Sequence, residues 1–377
     1  MRLLALVDSP DHVCCRYRVR AFESALRDVG CTLTCESLER GLFPRLRQLR
    51  SAAQYEAVLI QRKLLPAWQL ALLRRNARRL VFDFDDAVML RDSFDRRGPH
   101  SARRRARFAR IVRAADVVIA GNDYLADQAL RAGASAETVC TIPTCIDLSR
   151  YAVKSANQRD GPPELVWIGS SSTLKGLEER RDLWERLGAE IPGLRLRVVC
   201  DRFPRFQNVE VVEVRWSDVD EARDLAMGDI GVGLIPDDDW SRGKCGLKIL
   251  QYQAAGLPVI ANRVGSHLEM IEPGETGFLA DDVGEWAAAI TAAADRSSRA
   301  RMGEAARRQV EEQYSTAVWG PAFAAAVTGV DLRKSGAEAR SHSYNPCFNR
   351  EKPWAVGGSR ATPAAPSSGR RVRRGSE

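Results

Sequence analysis

Ile230-Gly231-Val232-Gly233-Leu234-Ile235-Pro236-Asp237-Asp238-Asp239-Trp240-Ser241-Arg242-Gly243-Lys244-Cys245-Gly246-Leu247-Lys248-Ile249-Leu250-Gln251-Tyr252-Gln253-Ala254-Ala255-Gly256-Leu257-Pro258-Val259-Ile260-Ala261 reads as strand, loop, helix and strand. The apolar run from Ile230 to Ile235 has the length and continuity of a buried parallel strand. An acidic turn follows it, then two glycines, then a helix that stops at Gly256. This order suits an anion. Unpaired N–H groups and the positive dipole end at a helix start favour negative charge, and Gly243 and Gly246 have no Cβ to hold the backbone away. Lys244 and Lys248 add two mobile cations. The plainer alternative is a solvated helix start with glycines as turn formers.

The same β/α rhythm extends outward on both sides. Before this stretch come a strand at Leu165–Ile168, a helix at Leu177–Leu187, and strands at Leu194–Val199 and Val209–Val214. The first half reads as strand Leu3–Val7, a helix from about Tyr17 to Val29, and strands Ala57–Ile60, Leu80–Phe84 and Val117–Ala120. Such alternation predicts parallel, doubly wound sheets whose ligands lie beyond the carboxyl ends of the strands. Between Arg150 and Glu164 the apolar periodicity gives way to turn formers. The expected organisation is therefore an α/β domain over residues 1–150, a linker at 151–164 and a second α/β domain over 165–330, facing each other across a central cleft. The long helical patterns Glu285–Tyr314 and Ser315–Val327 close the second domain. Residues 331–377, rich in Ser, Gly, Pro and Ala with Arg pairs, are expected to be a disordered basic tail.

A chain of 377 residues has the size of two domains. Its net charge of +8 is concentrated at the end: residues 331–377 hold 10 Lys/Arg against 4 Asp/Glu, and the remaining 330 hold 47 against 45. A nearly neutral body argues against a nucleic-acid partner. There is no apolar run of membrane-spanning length, and Met1–Val7 is too short for a signal peptide. The expected place is the cytoplasm, with peripheral contact at the inner face of a membrane as the candidate association. A helix from Arg103 to Ala115 carries Arg103, Arg107 and Arg110 on one face and Phe108, Ile111, Val112 and Ala115 on the other. That basic face either meets anionic lipid or is simply solvated. Nine scattered cysteines without a C-x-x-C pair, and four dispersed histidines, indicate neither a disulfide framework nor a zinc site.

Four further places have residue types suited to chemistry. Gly169-Ser170-Ser171-Ser172-Thr173-Leu174-Lys175-Gly176 follows a strand at the same edge as the glycine turn, and is either a second phosphate loop with Lys175 or a Ser/Thr helix cap. Asp83-Phe84-Asp85-Asp86 ends a strand; no metal-holding partners accompany it, so it either faces the cleft or caps a loop. Arg16 and Arg18 follow the first strand and point toward the cleft, as an anion clamp or a surface helix start. His267 follows Val264-Gly265-Ser266 and is read as structural.

Taken together and in order, several segments resemble the family-4-like glycosyltransferases. They are Arg16-Tyr17-Arg18, Asp83-Phe84-Asp85-Asp86, Ala120-Gly121-Asn122-Asp123-Tyr124-Leu125, Ile142-Pro143-Thr144 and Trp167-Ile168-Gly169-Ser170, then Gly233-Leu234-Ile235-Pro236, Gly246-Leu247, Ala254 to Ala261, Val264-Gly265 and Gly274-Glu275-Thr276-Gly277-Phe278-Leu279. The resemblance implies a GT-B fold of two Rossmann-like domains and retaining transfer of a sugar from a nucleotide-diphosphate donor to a hydroxyl, in glycan or cell-envelope polysaccharide synthesis. It implies no metal and no cofactor beyond the donor substrate itself.

By the same resemblance the diphosphate lies on the backbone of Gly246 and Leu247 and against Lys175; Lys244 and Lys248, which stand where the family usually has small and apolar residues, are the two cations added beside it. Gly169, Gly243 and Cys245 line this site, and Gln251 takes the ribose. Lys244, Lys248 and Asp85 are the candidate catalytic residues. A glycan or lipid-linked acceptor is expected near Arg16, Arg18, Asp86 and Asn122. One departure matters: the family's two glutamates, eight positions apart, are here Gly243 and Gln251. Their loss raises the alternative of a nucleotide-sugar binding protein without turnover.

Overall fold

The computed structural model describes residues 1–151 and 161–330. Most of the expected linker and the whole of the expected tail, 331–377, lie outside these residues. In the first sheet, β1 (Arg2–Val7), β2 (Thr32–Ser37), β3 (Ala57–Gln61), β4 (Leu80–Phe84), β5 (Val117–Ala120) and β6 (Val139–Thr141) are ordered β2-β1-β3-β4-β5-β6. In the second, β7 (Leu165–Ile168), β8 (Arg195–Cys200), β9 (Glu210–Arg215), β10 (Ile230–Gly233), β11 (Val259–Ala261) and β12 (Gly277–Leu279) are ordered β12-β11-β10-β7-β8-β9. All pairings are parallel. The strand order reverses between β1 and β3 in one lobe and between β7 and β10 in the other. Those two points are where an open parallel sheet forms a crevice beyond its strand ends.

Continuous apolar runs such as Leu3–Val7 and Ala57–Ile60 are buried throughout, because helices cover both faces of the first sheet. Helices Leu42–Ser51, Ala67–Asn76, Ala102–Ala114 and Asp123–Arg131 pack on one face, around Phe82, Phe84 and Phe108. Val13–Arg18 and Glu23–Asp28 pack on the other. The helix Thr316–Thr328 crosses back to this second face. Its Phe323 stacks on Phe22 with ring centroids 4.3 Å apart, and Arg79 Nη2 donates to Ala326 O at 2.9 Å. Although chain position assigns residues 316–328 to the 165–330 unit, they pack mainly on the first lobe.

Three helices expected to be continuous are divided. The helix expected from Tyr17 to Val29 breaks at Val19 (φ −128°, ψ −60°), where Arg18 turns into the core. In place of one helix at Leu177–Leu187 there are two, Ser171–Glu178 and Arg181–Glu190. The first begins in a reciprocal cap between Ser170 and Thr173, so the Ser/Thr-cap reading of this segment is the one observed. The pattern from Glu285 to Tyr314 is likewise two helices, Val283–Ala292 and Arg296–Gln313, capped by Asp282 and Asp295.

Candidate functional site

The loops after β7 and β10 meet at the switch point of the second lobe. Asp238 opens a one-turn helix, Asp239–Arg242, by accepting from Ser241 N at 2.8 Å. The chain then turns through Gly243–Gly246 into the helix Leu247–Ala254. Gly246 has φ +62°, and a Cβ there would lie 3.0 Å from Ser266 Oγ and closer still to Met270 Sδ, so only glycine fits. No side chain caps the first turn of this helix. Ser266 Oγ donates to Lys244 O at 2.9 Å and fixes the turn from below.

Lys248, on the first turn, reaches back toward β7. Its Nζ donates to Thr173 Oγ1 at 3.4 Å and lies 4.1 Å from the centre of the buried Trp167 ring. Burial, with the nearby charge of Lys244, lowers its pKa from 10.5 to about 7. A half-neutral amine paired only with a hydroxyl and a ring face is suited to accepting an anion. His267 is buried close by, its Nδ1 3.0 Å from Asn262 O, and burial lowers it to about 4. It is a neutral packing residue, as expected. Gly169 is required for packing, since a Cβ would come within 2.5 Å of Thr173 Oγ1 and Trp167. Lys175 sits inside its helix with Nζ 5.9 Å from the Phe94 ring of the first lobe.

Across the seam the first lobe presents carboxylates and arginines that are already paired. Arg62, just after β3, is the one non-glycine residue with positive φ among those described (φ 59°). It bonds Asp85 and bridges to Asp86 at 2.8 Å, and Lys244 Nζ approaches Asp86 at 3.5 Å. Burial opposes ionisation of Asp85, but Arg62 holds its pKa below the ordinary value. Asp85 is therefore a partner of Arg62, mostly buried at the seam. Arg18, expected to contact the acceptor, is fully buried, paired with Asp83 and donating to Ile142 O at 2.7 Å. Asn122 caps helix Asp123–Arg131 through Oδ1, and its Nδ2 holds Lys244 O at 3.2 Å and Arg242 O at 3.4 Å. Its work is to clasp the glycine turn.

Other expected residues also serve the contact between lobes. A Cβ on Gly243 would lie 2.8 Å from Ala87 Cβ, and buried Cys245 donates its thiol to Asp85 O at 3.4 Å. Arg16 bonds both oxygens of Glu221, at 3.1 and 2.9 Å, and also pairs with Asp218. Tyr17 Oη donates to Glu221 at 2.7 Å and receives Gln251 Nε2 at 3.2 Å. Burial alone would raise the Glu221 pKa; Arg16, Trp216 and Tyr17 outweigh it and keep the carboxylate charged. Gln251 is buried in this network. Lys244, Gly246, Leu247 and Lys248 stay partly exposed at the seam.

Sequence reasoning assigned no role in this constellation to Arg62, Tyr17, Thr173, Trp167, Glu221 or Tyr151, whose Oη lies 2.9 Å from Tyr17 Oη. Tyr17, Trp167 and Thr173 stand in segments already singled out, and Arg62 directly follows the strand beside the switch point. Among the described residues no group of three or more His, Cys, Asp or Glu side chains is arranged to hold a metal ion.

Residues 162–296 match the family model described as "Glycosyl transferases group 1". Over 93 residues the chain is 37% identical to the N-acetyl-alpha-D-glucosaminyl L-malate synthase of Bacillus anthracis, a match covering 24% of this chain and 23% of that protein. Over 195 residues it is 26% identical to a sulfoquinovosyl transferase of Arabidopsis thaliana, covering 44% and 36%. The matched stretches thus span about a quarter to a third of these curated relatives.

Among solved structures, sucrose-phosphate synthase from Thermosynechococcus elongatus superposes with a TM-score of 0.64 at 16% identity, covering 86% of this chain and 97% of that one. Anabaena HepE, solved with UDP-glucose, superposes at 0.60 and 17% identity, covering 88% and 100%. The two parallel sheets and these superpositions give the chain the GT-B fold, and its second lobe carries the match to the group 1 glycosyl transferase model.

Proposed function

We propose that this protein transfers a sugar from a nucleotide-diphosphate sugar, held by the second lobe, to a hydroxyl of an acceptor held by the first. The carrying observation is the pairing of Lys244 and Lys248 with an uncapped helix start at the switch point of the second sheet. A diphosphate at this place meets the N–H groups of Gly246 and Leu247 and two amines. As the glycosidic bond breaks, negative charge grows on the leaving phosphate, and donors fixed beforehand lower the barrier more than they tighten ground-state binding. Among the described residues the carboxylates at the seam, Asp85, Asp86 and Glu221, are each paired with a cation. This fits retaining transfer on the front face, with the leaving phosphate oxygen taking the acceptor proton.

The acceptor is a glycan or lipid-linked hydroxyl entering between the lobes near Asp86 and Arg62. The donor requires the lobes to separate first, because Gly243, Cys245 and Gln251 are covered by the first lobe in the closed arrangement. One observation favours a second reading, a nucleotide-sugar binder without turnover: the position of a family glutamate is a glycine packed against Ala87. Release of nucleoside diphosphate from UDP-, GDP- and ADP-linked sugars separates the two. Transfer predicts release with at least one donor; tight binding of a donor with no release supports the binder.

A further inference from the structure

The near-neutral charge of the body conceals a strong segregation. Between Arg40 and Arg113 there are 19 Lys/Arg and only 6 Asp/Glu, a net +13, so the rest of residues 1–330 is net acidic. Three of the six acids, Asp83, Asp85 and Asp86, are turned inward and paired with Arg18, Arg62 and Lys244. The three helices in this stretch, Leu42–Ser51, Ala67–Asn76 and Ala102–Ala114, lie side by side on one face of the first sheet. Their outward arginines Arg47, Arg50, Arg75, Arg103, Arg105 and Arg110 are exposed and make no ion pair among the described residues.

The same layer carries an apolar tip. Phe43 is 81% exposed, Leu42 56% and Trp68 48%. Gly41, at φ +88°, turns the chain so that Leu42 and Phe43 open their helix at its outermost point. Arg45 Nη1 donates to Gln69 Oε1 at 2.9 Å, tying the first turns of the two helices and bringing Trp68 beside this tip. Arg107 Nη1 donates to Leu64 O at 3.2 Å, which brings the third helix to the loop leading into Trp68. These helix starts follow the carboxyl ends of parallel strands, so the tip is at the sheet edge that also faces the cleft.

We infer that this layer is a docking surface for an anionic lipid bilayer, with Leu42, Phe43 and Trp68 entering the headgroup region and the exposed arginines on phosphates. Aromatic and aliphatic side chains rimmed by arginine are the composition of an interfacial element. A second copy of the same face is excluded by its like charge, and a nucleic-acid duplex, whose bases are stacked inside, gives an exposed Leu and Phe no apolar surface to enter. No helix among the described residues is long and apolar enough to cross a membrane, so attachment through this layer is peripheral. Docked this way, the cleft mouth opens at the lipid surface. That last step rests on the proposed transfer reaction; the docking does not.

The test is flotation of the full chain with vesicles of phosphatidylcholine alone and of phosphatidylcholine mixed with an anionic phospholipid, and it needs no turnover. The protein is expected to float with the mixed vesicles only. The double variant Leu42→Ser/Phe43→Ser and the triple variant Arg47→Glu/Arg103→Glu/Arg105→Glu each lower the partition coefficient about tenfold or more, with unchanged thermal unfolding. A variant with Arg370, Arg371, Arg373 and Arg374 all changed to Gln still floats. The inference is overturned if the wild type stays unbound, if the tail variant alone abolishes flotation, or if both face variants float as the wild type does. Binding of a labelled DNA duplex as tight as vesicle binding, and indifferent to the Leu42/Phe43 change, likewise overturns it.

Discussion

Binding of the donor should draw a proton onto Lys248. With a pKa of about 7 in the free protein, this amine is only roughly 3% charged at pH 8.5. A diphosphate oxygen about 4 Å away, at an effective dielectric of about 20, favours the charged form by about 4 kcal/mol, which returns the pKa to about 10. Binding at pH 8.5 then takes up close to one proton. Affinity should fall about tenfold per pH unit between pH 7 and 10, because free Lys248 must first be protonated.

Titration calorimetry in two buffers of different ionisation enthalpy reads the proton count directly. The free protein supplies a second readout. Lys248 has its pKa lowered on folding, so between about pH 7 and 10.4 the unfolded chain holds a proton that the folded one lacks. This term therefore makes the protein more stable as pH rises through that window, by up to about 1.4 kcal/mol per unit, and Lys248→Met removes it. Zero proton uptake at pH 8.5, together with a dissociation constant flat from pH 6.5 to 9, would refute the reasoning.

The buried pair of Arg18 and Asp83 is structural, so Arg18→Met should destabilise the chain by about 3–5 kcal/mol in urea unfolding, through the unpaired Asp83 left behind. Restoring the family carboxylate with Gly243→Glu should lower activity, because its side chain collides with Ala87 at the seam; a gain in turnover would show that the lobes react from a more open arrangement. Glu221→Gln should loosen the lobe contact made by Arg16 and Tyr17, seen as faster amide exchange around residues 13–18 and 221–226 and a larger radius of gyration in solution.

The parallel, doubly wound sheets were legible because buried parallel strands leave continuous apolar runs such as Ala57–Ile60, and because Gly256 and Pro258 punctuate the helix and strand after the glycine turn; the edge strands Val139–Thr141 and Gly277–Leu279 were not. The place of Lys244 and Lys248 at a strand-end crevice was legible for the same reason. What Arg16, Arg18, Asp85, Asn122 and Gln251 do was not, since which partner each finds is decided by residues 23 to 234 positions away. A cap competes with a loop in Ser170–Thr173 on nearly equal local grounds, and only the fold decides. The basic layer was present in the arginines from Arg40 to Arg113, but a count over the whole body averaged it against acids elsewhere.

The central claim is that the turn from Gly243 to Gly246 and the start of its helix hold the donor diphosphate. The most direct measurement is the dissociation constant of the donor for the wild type and for Lys244→Ala/Lys248→Ala. Two charge-assisted contacts at about 1.5–3 kcal/mol each predict a loss of at least about 100-fold. Equal affinity in the two proteins would contradict the account.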